Sequence, residues 1–202
     1  MKTLIRLMLV VFVLGSFTFV RSQGTTVQKN GRENLQREQL RKLLSRVGVD
    51  ASEFDTRAAQ TRTHRELKIR LTEQTKSSKG LKPFNPQEQT QTASAAIVED
   101  TKRAGALPRS RSIELSPTQI FIAAVDATNK LRWWSIVPDP RVVRSETQSP
   151  TGELRGEDYY VSNVTLVVAF PDDPDIANLR FYHPVWNGTD FDLKPLTTVP
   201  TR

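Results

Sequence analysis

The sequence contains no cysteine. This absence excludes disulfides, thiolate nucleophiles, thiolate metal sites and a lipid attached to an N-terminal cysteine. Small secreted domains of eukaryotes are commonly cross-linked by disulfides, so a cysteine-free chain that leaves the cytoplasm favours a bacterial envelope or exported protein.

Long apolar runs are also scarce, and the one that is present lies at the N-terminus. Lys2 and Arg6 accompany the apolar stretch 7–20, and Val20 and Ser22 occupy the −3 and −1 positions of a cleavage site. This order of charge, apolar segment and small residue is typical of a secretory signal peptide. The stretch falls short of the roughly 20 residues that span a bilayer. We therefore expect cleavage of residues 1–22 near Ser22, which leaves a secreted or periplasmic chain without a transmembrane segment.

The formal net charge of +7 is unevenly distributed along the chain. Residues 23–113 hold 18 basic and 10 acidic side chains, whereas residues 114–202 hold 8 basic and 12 acidic ones. A basic front part and an acidic back part indicate two regions with different roles. The basic side chains are interspersed with glutamates rather than gathered on one face, so we expect no nucleic-acid partner.

After a flexible tail, residues 23–33, the chain is predicted to form a basic helical segment over residues 34–75. Its first helix has one apolar face, because four apolar residues fall at i, i+3, i+4 and i+7. Gly48 is a natural stop for this helix. The four apolar residues are Leu40, Leu43, Leu44 and Val47.

A second helix is predicted from Ser52 to about residue 74. Ser52 can act as an N-cap, and no proline or glycine follows it within the stretch. Its apolar residues are sparse, and Ile69 lies off their stripe. We therefore expect little core contact from this helix.

Residues 76–115 are predicted to form a disordered linker. The stretch 76–80 is polar with a glycine, two prolines follow, and residues 87–92 are glutamine, threonine and glutamate. Such a composition buries too little apolar surface to offset the conformational entropy lost on ordering.

From residue 116 the pattern changes to that of strands, so the fold class is mainly β. Residues 118–125 form a nearly continuous apolar run, which suits a strand buried on both faces. Six or so short strands joined by turns fit a small antiparallel β-sandwich of immunoglobulin-like architecture over residues 116–202. The other strands are predicted over residues 131–137, 141–146, 158–170, 178–186 and 189–193.

The dipeptide Asn187-Gly188 predicts a two-residue hairpin turn. In that register His183 lies opposite Asp192, and both share a solvent-facing side with Asp190. An aspartate beside an imidazole can support acid–base catalysis. The sequence has no Gly-x-Ser-x-Gly nucleophile turn, however, and a structural cross-strand contact is the preferred interpretation. We therefore assign no catalytic residue.

Tryptophans are the candidate contact residues of the strand region. Trp133 and Trp134 are adjacent, so on a strand they point to opposite faces, and Trp186 precedes the predicted hairpin turn. An exposed tryptophan can stack on a sugar ring or anchor a protein partner. Filling the core is the more common use of such side chains.

The sequence predicts neither a metal site nor a cofactor. The acidic turn around Asp172, Asp173 and Asp175 lacks the glycine and the terminal glutamate of an EF-hand loop. Aspartate beside proline is also a standard turn composition. We interpret these carboxylates as a solvated turn.

No motif carries a specific chemistry, so the preferred hypothesis is an exported, non-catalytic binding or assembly module of the cell envelope or extracellular space. Its partner would be an unidentified protein or glycan. Two alternatives stay open. One is a weak or accessory hydrolase that uses His183 with Asp190 or Asp192. The other is a cationic envelope-associating protein that acts through residues 34–76.

Overall fold

The computed structural model describes residues 37–54, 62–73, 82–85, 93–107, 114–148 and 151–202. The predicted signal peptide, residues 1–22, and the predicted tail, residues 23–33, lie outside these ranges. Helix α1 covers residues 37–45. The strands are β1 Thr63–Glu73, β2 Lys82–Pro83, β3 Ala93–Ala104, β4 Gln119–Val125, β5 Leu131–Pro138, β6 Val142–Gln148, β7 Leu154–Tyr160, β8 Asn163–Pro171, β9 Asn178–Trp186 and β10 Phe191–Pro200.

The strands form three antiparallel sheets. The central sheet has the order β10-β9-β4-β5, and a second sheet has the order β3-β1-β8. A small third sheet, which we call the ribbon, has the order β2-β7-β6. The β6–β7 hairpin of the ribbon connects β5 of the central sheet to β8 of the second sheet. The described part of the chain is therefore mainly β, as predicted.

The central and second sheets enclose one apolar cluster, the inter-sheet core. β1 contributes Leu67, Ile69 and Leu71, and all three are completely buried. Residues on both sides of position 116 share this core. The remaining buried members are Ala93 of β3, Ile120, Ile122 and Ala124 of β4, Leu166, Val168 and Phe170 of β8, Ile176, Leu179 and Phe181 near and in β9, and Leu196 and Val199 of β10.

Helix α1 covers the opposite face of the central sheet and forms a second cluster, the helix-side core. The predicted apolar stripe is confirmed, because Leu40, Leu43 and Leu44 pack here. Gly48 ends the helix as predicted: it adopts φ 72°, and its amide donates to the Ser45 carbonyl at 3.2 Å. The Val49 amide donates to the Leu44 carbonyl at 3.0 Å, which completes a Schellman motif. The helix therefore belongs to the packed structure.

Strand β4 lies between the two cores. Ile120, Ile122 and Ala124 face the inter-sheet core, whereas Phe121 and Ala123 face the helix-side core. All of these side chains are completely buried. The prediction of a strand buried on both faces is confirmed, and the physical reason is that a sheet covered on each side needs an apolar residue at every position.

The prediction of a helix from Ser52 to about residue 74 is wrong for residues 63–73, which form β1. Apolar residues at every second position, from Leu67 through Ile69 to Leu71, have the period of a strand rather than of a helix. Ile69, which did not fit the helical stripe, is the residue that carries this signal.

The prediction of a disordered linker is wrong for residues 93–104, which form β3. This strand pairs along β1 from Ala93↔Glu73 to Ala104↔Thr63, with a β-bulge near Val98. Most of its side chains are exposed, so the sequence of this strand contains few buried apolar residues that would predict it. Pairing of its backbone with a buried neighbour supplies the stabilisation instead.

The predicted single strand over residues 158–170 is also wrong, because the chain breaks at Val161-Ser162. Residues before the break belong to β7 of the ribbon, and residues after it belong to β8 of the second sheet. The alternation after the break holds, with Leu166, Val168 and Phe170 buried. Within the ranges that the structure describes, no helix is long and apolar enough to cross a membrane.

Two isoleucines that face each other across the β1–β3 ladder test the corrected strand assignment. Ile69 is completely buried, whereas Ile97 is partly exposed at the sheet edge. We expect Ile69→Ala to lower the free energy of unfolding by about 2–5 kcal/mol, because it leaves a cavity in the inter-sheet core. Ile97→Ala should cost less than about 1 kcal/mol. Urea unfolding of both variants measures the difference, and equal losses would contradict the assignment.

Candidate functional site

A buried ion pair joins Asp139 to Arg141 at the end of the central sheet. The Arg141 Nε donates to Asp139 Oδ1 at 2.9 Å, and Nη2 donates to Oδ2 at 2.7 Å. The Arg141 backbone amide donates to the same Oδ1 at 2.9 Å. Both side chains are almost completely buried. Three hydrogen bonds thus satisfy the carboxylate in the one place where the described chain buries an acid and a base together.

This pair lies where three segments of the chain meet. The Asp139 amide donates to the Thr118 carbonyl at 2.9 Å, which ties the corner to the residue before β4. The Arg141 carbonyl accepts from the Val161 amide at 2.8 Å, between β7 and β8. The Arg141 guanidinium also lies over the Tyr160 ring, 5.1 Å from its centroid. The pair therefore anchors the ribbon to the rest of the fold.

His183 of β9 packs against the pair and is only 1% exposed. Its Nδ1 lies 3.9 Å from Asp139 Oδ2, beyond hydrogen-bond distance. Burial lowers the pKa of His183 to about 4, because the charged ring loses its hydration. The Asp139 carboxylate and an interaction with the Gln119 backbone oppose this shift in pKa, and the Arg141 guanidinium adds to it. The imidazole is consequently neutral at pH 7.

The predicted hairpin register is wrong by two residues. Phe191, not Thr189, lies opposite Trp186, and Lys194, not Asp192, lies opposite His183. Residues 187–190 form a loop because the Asn187 side chain caps it, with Oδ1 accepting from the Asp190 amide at 2.9 Å. The prediction that His183 faces solvent is wrong for a separate reason. The second sheet covers that face of β9.

Asp190 and Asp192, the predicted partners of His183, contact Arg46 instead. The Asp192 carboxylate accepts hydrogen bonds from the Arg46 guanidinium at 3.0 Å and from the side-chain Nδ2 of Asn187 at 3.0 Å. The hydrogen bond from Asn187, and then the charge of Arg46, hold the pKa of Asp192 below its ordinary value. Asp190 forms an exposed ion pair with Arg46 at 3.5 Å. His183 instead lies beside Asp139, with 3.9 Å between its Nδ1 and Asp139 Oδ2.

The three candidate tryptophans have different environments. Trp134 is buried in the helix-side core, where its ring stacks on Phe121 with centroids 5.8 Å apart. Trp133 is partly buried against the inter-sheet core. Trp186 is 53% exposed, and its ring meets Phe191 edge-to-face at 5.2 Å. Of the three, Trp186 offers the largest free surface.

Charged groups lie on the same hairpin as the exposed tryptophan. Arg46, one residue beyond α1, reaches the β9–β10 hairpin and lies 3.5 Å from the Phe191 carbonyl. It forms ion pairs with Asp190 and Asp192, which flank Phe191 in the sequence, and the Phe191 ring contacts Trp186. An aromatic surface with a hydrogen-bonding border is the usual composition of a glycan or protein contact site. We call this group the hairpin patch.

The acidic turn after β8 forms internal ion pairs. Arg132 of β5 contacts Asp173 at 3.1 Å and Asp175 at 3.0 Å. Asp172 contacts Lys102 of β3 and accepts from the Thr63 hydroxyl at 3.2 Å. The turn thus joins the central sheet to the second sheet through charge pairs.

Sequence reasoning missed Asp139, Arg141 and Arg46. The two residues of the buried pair flank Pro140, and prolines on either side of Asp139 suggested only a break in the ladder. Arg46 was one of several cations around the apolar stripe of α1. Nothing in its local pattern distinguishes it, because its partners are more than 140 positions away along the chain.

Known proteins add nothing to this description: no family model, no curated protein and no solved structure matches the chain.

The burial of His183 predicts a pH dependence of stability. Between pH about 6.5 and about 4 the unfolded chain binds a proton at His183 that the folded chain does not. The free energy of unfolding should therefore fall as the pH falls through this window, by about 1.4 kcal/mol per pH unit from this group, and level off below it. His183→Gln should remove this component, whereas the control His64→Gln should keep it. Urea unfolding across the window measures the slopes, and the same slope in His183→Gln and wild type would contradict the assignment.

Proposed function

We propose that this chain is an exported, non-catalytic binding or assembly module of the cell envelope or extracellular space, and that the hairpin patch is its contact surface. The single observation that carries the proposal is the exposure of Trp186. A large aromatic side chain left half in water at a hairpin end, against a second aromatic ring, is the kind of group that anchors a partner. The partner is a glycan or a protein that covers the indole ring.

The composition of the hairpin patch supports this role. The Trp186 and Phe191 rings provide an apolar face, and Arg46 provides a cation beside them. The C–H face of a sugar ring stacks on such an indole while its hydroxyl groups reach the neighbouring charged side chains. The ion pairs of Arg46 with Asp190 and Asp192 hold these groups in position before binding.

The geometry favours binding over the two alternatives. The hydrolase alternative needs His183 beside Asp190 or Asp192 and open to a substrate, but His183 is buried and both aspartates contact Arg46. The cationic alternative needs unpaired basic side chains. Arg46, Arg65 and Lys68 instead form ion pairs with carboxylates, which reduces the positive field of this segment.

The finer architecture and the location remain part of the proposal. Two antiparallel sheets that face each other across the inter-sheet core support an immunoglobulin-like sandwich. The charged start and the apolar stretch 7–20 support export. The mature protein recovered from its source should begin near Gln23, as read by N-terminal sequencing. An intact Met1 in a cytosolic fraction would end this part of the proposal.

Binding to insoluble glycans tests the role of Trp186. Peptidoglycan sacculi, chitin and cellulose serve as probes in co-sedimentation with the purified protein. We expect the wild-type protein to bind one of them and Trp186→Ala to bind it at least about tenfold more weakly, since a central aromatic contact commonly contributes that much. Leu154→Ala is the matched control, because Leu154 is a highly exposed apolar side chain on another sheet, the ribbon.

The outcomes separate the hypotheses. Equal weakening in both variants, or none in Trp186→Ala, would rule out the hairpin patch as the contact surface. A hydrolase screen of the same preparation addresses the enzyme alternative. Turnover that is lost in His183→Ala while the fold is retained would replace the proposal with that alternative.

A further inference from the structure

Strand β3 is an edge strand of the second sheet. Among the described residues its only ladder is with β1, since the second sheet has the order β3-β1-β8. β10 meets β3 through apolar contacts in the inter-sheet core, where Ala93 joins Leu196 and Val199. No strand in the described ranges pairs with the outer edge along residues 98–104, so its outward N–H and C=O groups can template another strand.

The sequence at this edge is self-complementary in charge. Glu99 and Asp100 come before Thr101, and Lys102 and Arg103 follow it. If the same strand from a second copy runs antiparallel with Thr101 opposite Thr101, each acid faces a base. Glu99 then lies opposite Arg103 of the second copy, and Asp100 lies opposite Lys102 of the second copy. Opposite charges at such cross-strand positions attract each other.

We propose that β3 pairs with β3 of a second copy of this chain around a two-fold axis at Thr101. The pairing joins the two second sheets into one continuous sheet of six strands. A two-fold axis perpendicular to the sheet keeps the same face of β3 on the same side in both copies. The alternative registers are therefore those in which the pairing is shifted by two residues. Such shifts place Asp100 opposite Asp100, or Lys102 opposite Lys102. Like charges repel, so the register at Thr101 is selected.

The charges of β3 remain available for this contact although each has a partner within the chain. The side chains of Lys102 and Arg103 are 65% and 52% exposed while they contact Asp172 and Glu66. Glu99 contacts Lys68 on the same outer face that carries Arg103 and Glu66. Pairing therefore extends these ion pairs into a row of alternating charges across both copies. The row runs from Lys68 and Glu99 of one copy to Arg103 and Glu66 of the second copy.

Two apolar side chains of the edge also gain cover. Ile97 and Val98 are 42% and 53% exposed. The register at Thr101 brings the end of the second copy's β3, with the small residues Ala104 and Gly105, towards these side chains, although the β-bulge near Val98 interrupts regular pairing there. Burial of apolar surface at both ends of the two-fold contact adds to the charge pairing. The edge thus has an apolar as well as an electrostatic complement in its own sequence.

Because the chain lacks cysteine, a single introduced thiol tests the register directly. Thr101→Cys places the two thiols opposite each other at the axis, within the separation that a disulfide requires. Ser94→Cys is the control, since Ser94 is exposed on the same strand but the two copies of this position lie far apart. Under mild oxidation we expect a disulfide dimer from Thr101→Cys and monomer from Ser94→Cys on non-reducing gels. Equal cross-linking of the two variants, or none in either, would overturn the proposal.

Charge reversal provides an independent test by sedimentation equilibrium. The wild-type protein should be dimeric. Lys102→Glu/Arg103→Glu and Glu99→Lys/Asp100→Lys should each be monomeric, because every opposing pair then has like charges. An equimolar mixture of the two variants should restore a dimer, since acids again face bases. A monomeric wild-type protein would overturn the proposal, as would dimers that persist in both variants or a mixture that stays monomeric. Circular dichroism verifies that the variants are folded.

Discussion

The buried pair of Asp139 and Arg141 is the interaction on which the connection between the sheets depends. Moving an ion out of water costs several kcal/mol, and the three internal hydrogen bonds to the Asp139 carboxylate offset that cost. Those bonds fix the turn at which the chain leaves β5, and they hold the segment by which it returns to β8. The residues of this pair therefore connect the ribbon to the two large sheets. Their charges also contribute to the electrostatic environment of the buried His183.

The second constraint is that the central sheet has no solvent-facing side along β4. Helix α1 covers one face and the second sheet covers the other, so each residue from Ile120 to Val125 is enclosed. Substitution anywhere along this strand must be accommodated by one core or the other, because protein interiors are close-packed. The two proposed contact surfaces lie at the margins of these layers: Trp186 is at the end of β9, and the outer edge of β3 borders the second sheet.

Sequence patterns predicted the elements whose burial is simple. The predictions of a fully buried strand over residues 118–125 and of an amphipathic helix ending at Gly48 are confirmed. Each kind of burial produces a distinct pattern of apolar residues in the sequence. β1 was missed because a period of two over Leu67, Ile69 and Leu71 lay within a stretch without helix breakers. β3 was missed because its order comes from pairing with β1 rather than from its own apolar residues. The contacts of His183 and Arg46 join distant segments, and no local pattern records them.

The order of elements along the chain has a consequence for how the molecule forms. Helix α1 comes before the surface that it covers, which includes Tyr182 of β9 and Leu193 of β10. β1 likewise cannot complete its pairing until β8 has been made. Loop closure over such separations is slow compared with the formation of local structure. A growing chain therefore carries the apolar face of α1 unprotected until β9 and β10 have been made, and translation that stalls before β10 leaves an aggregation-prone intermediate rather than a folded domain.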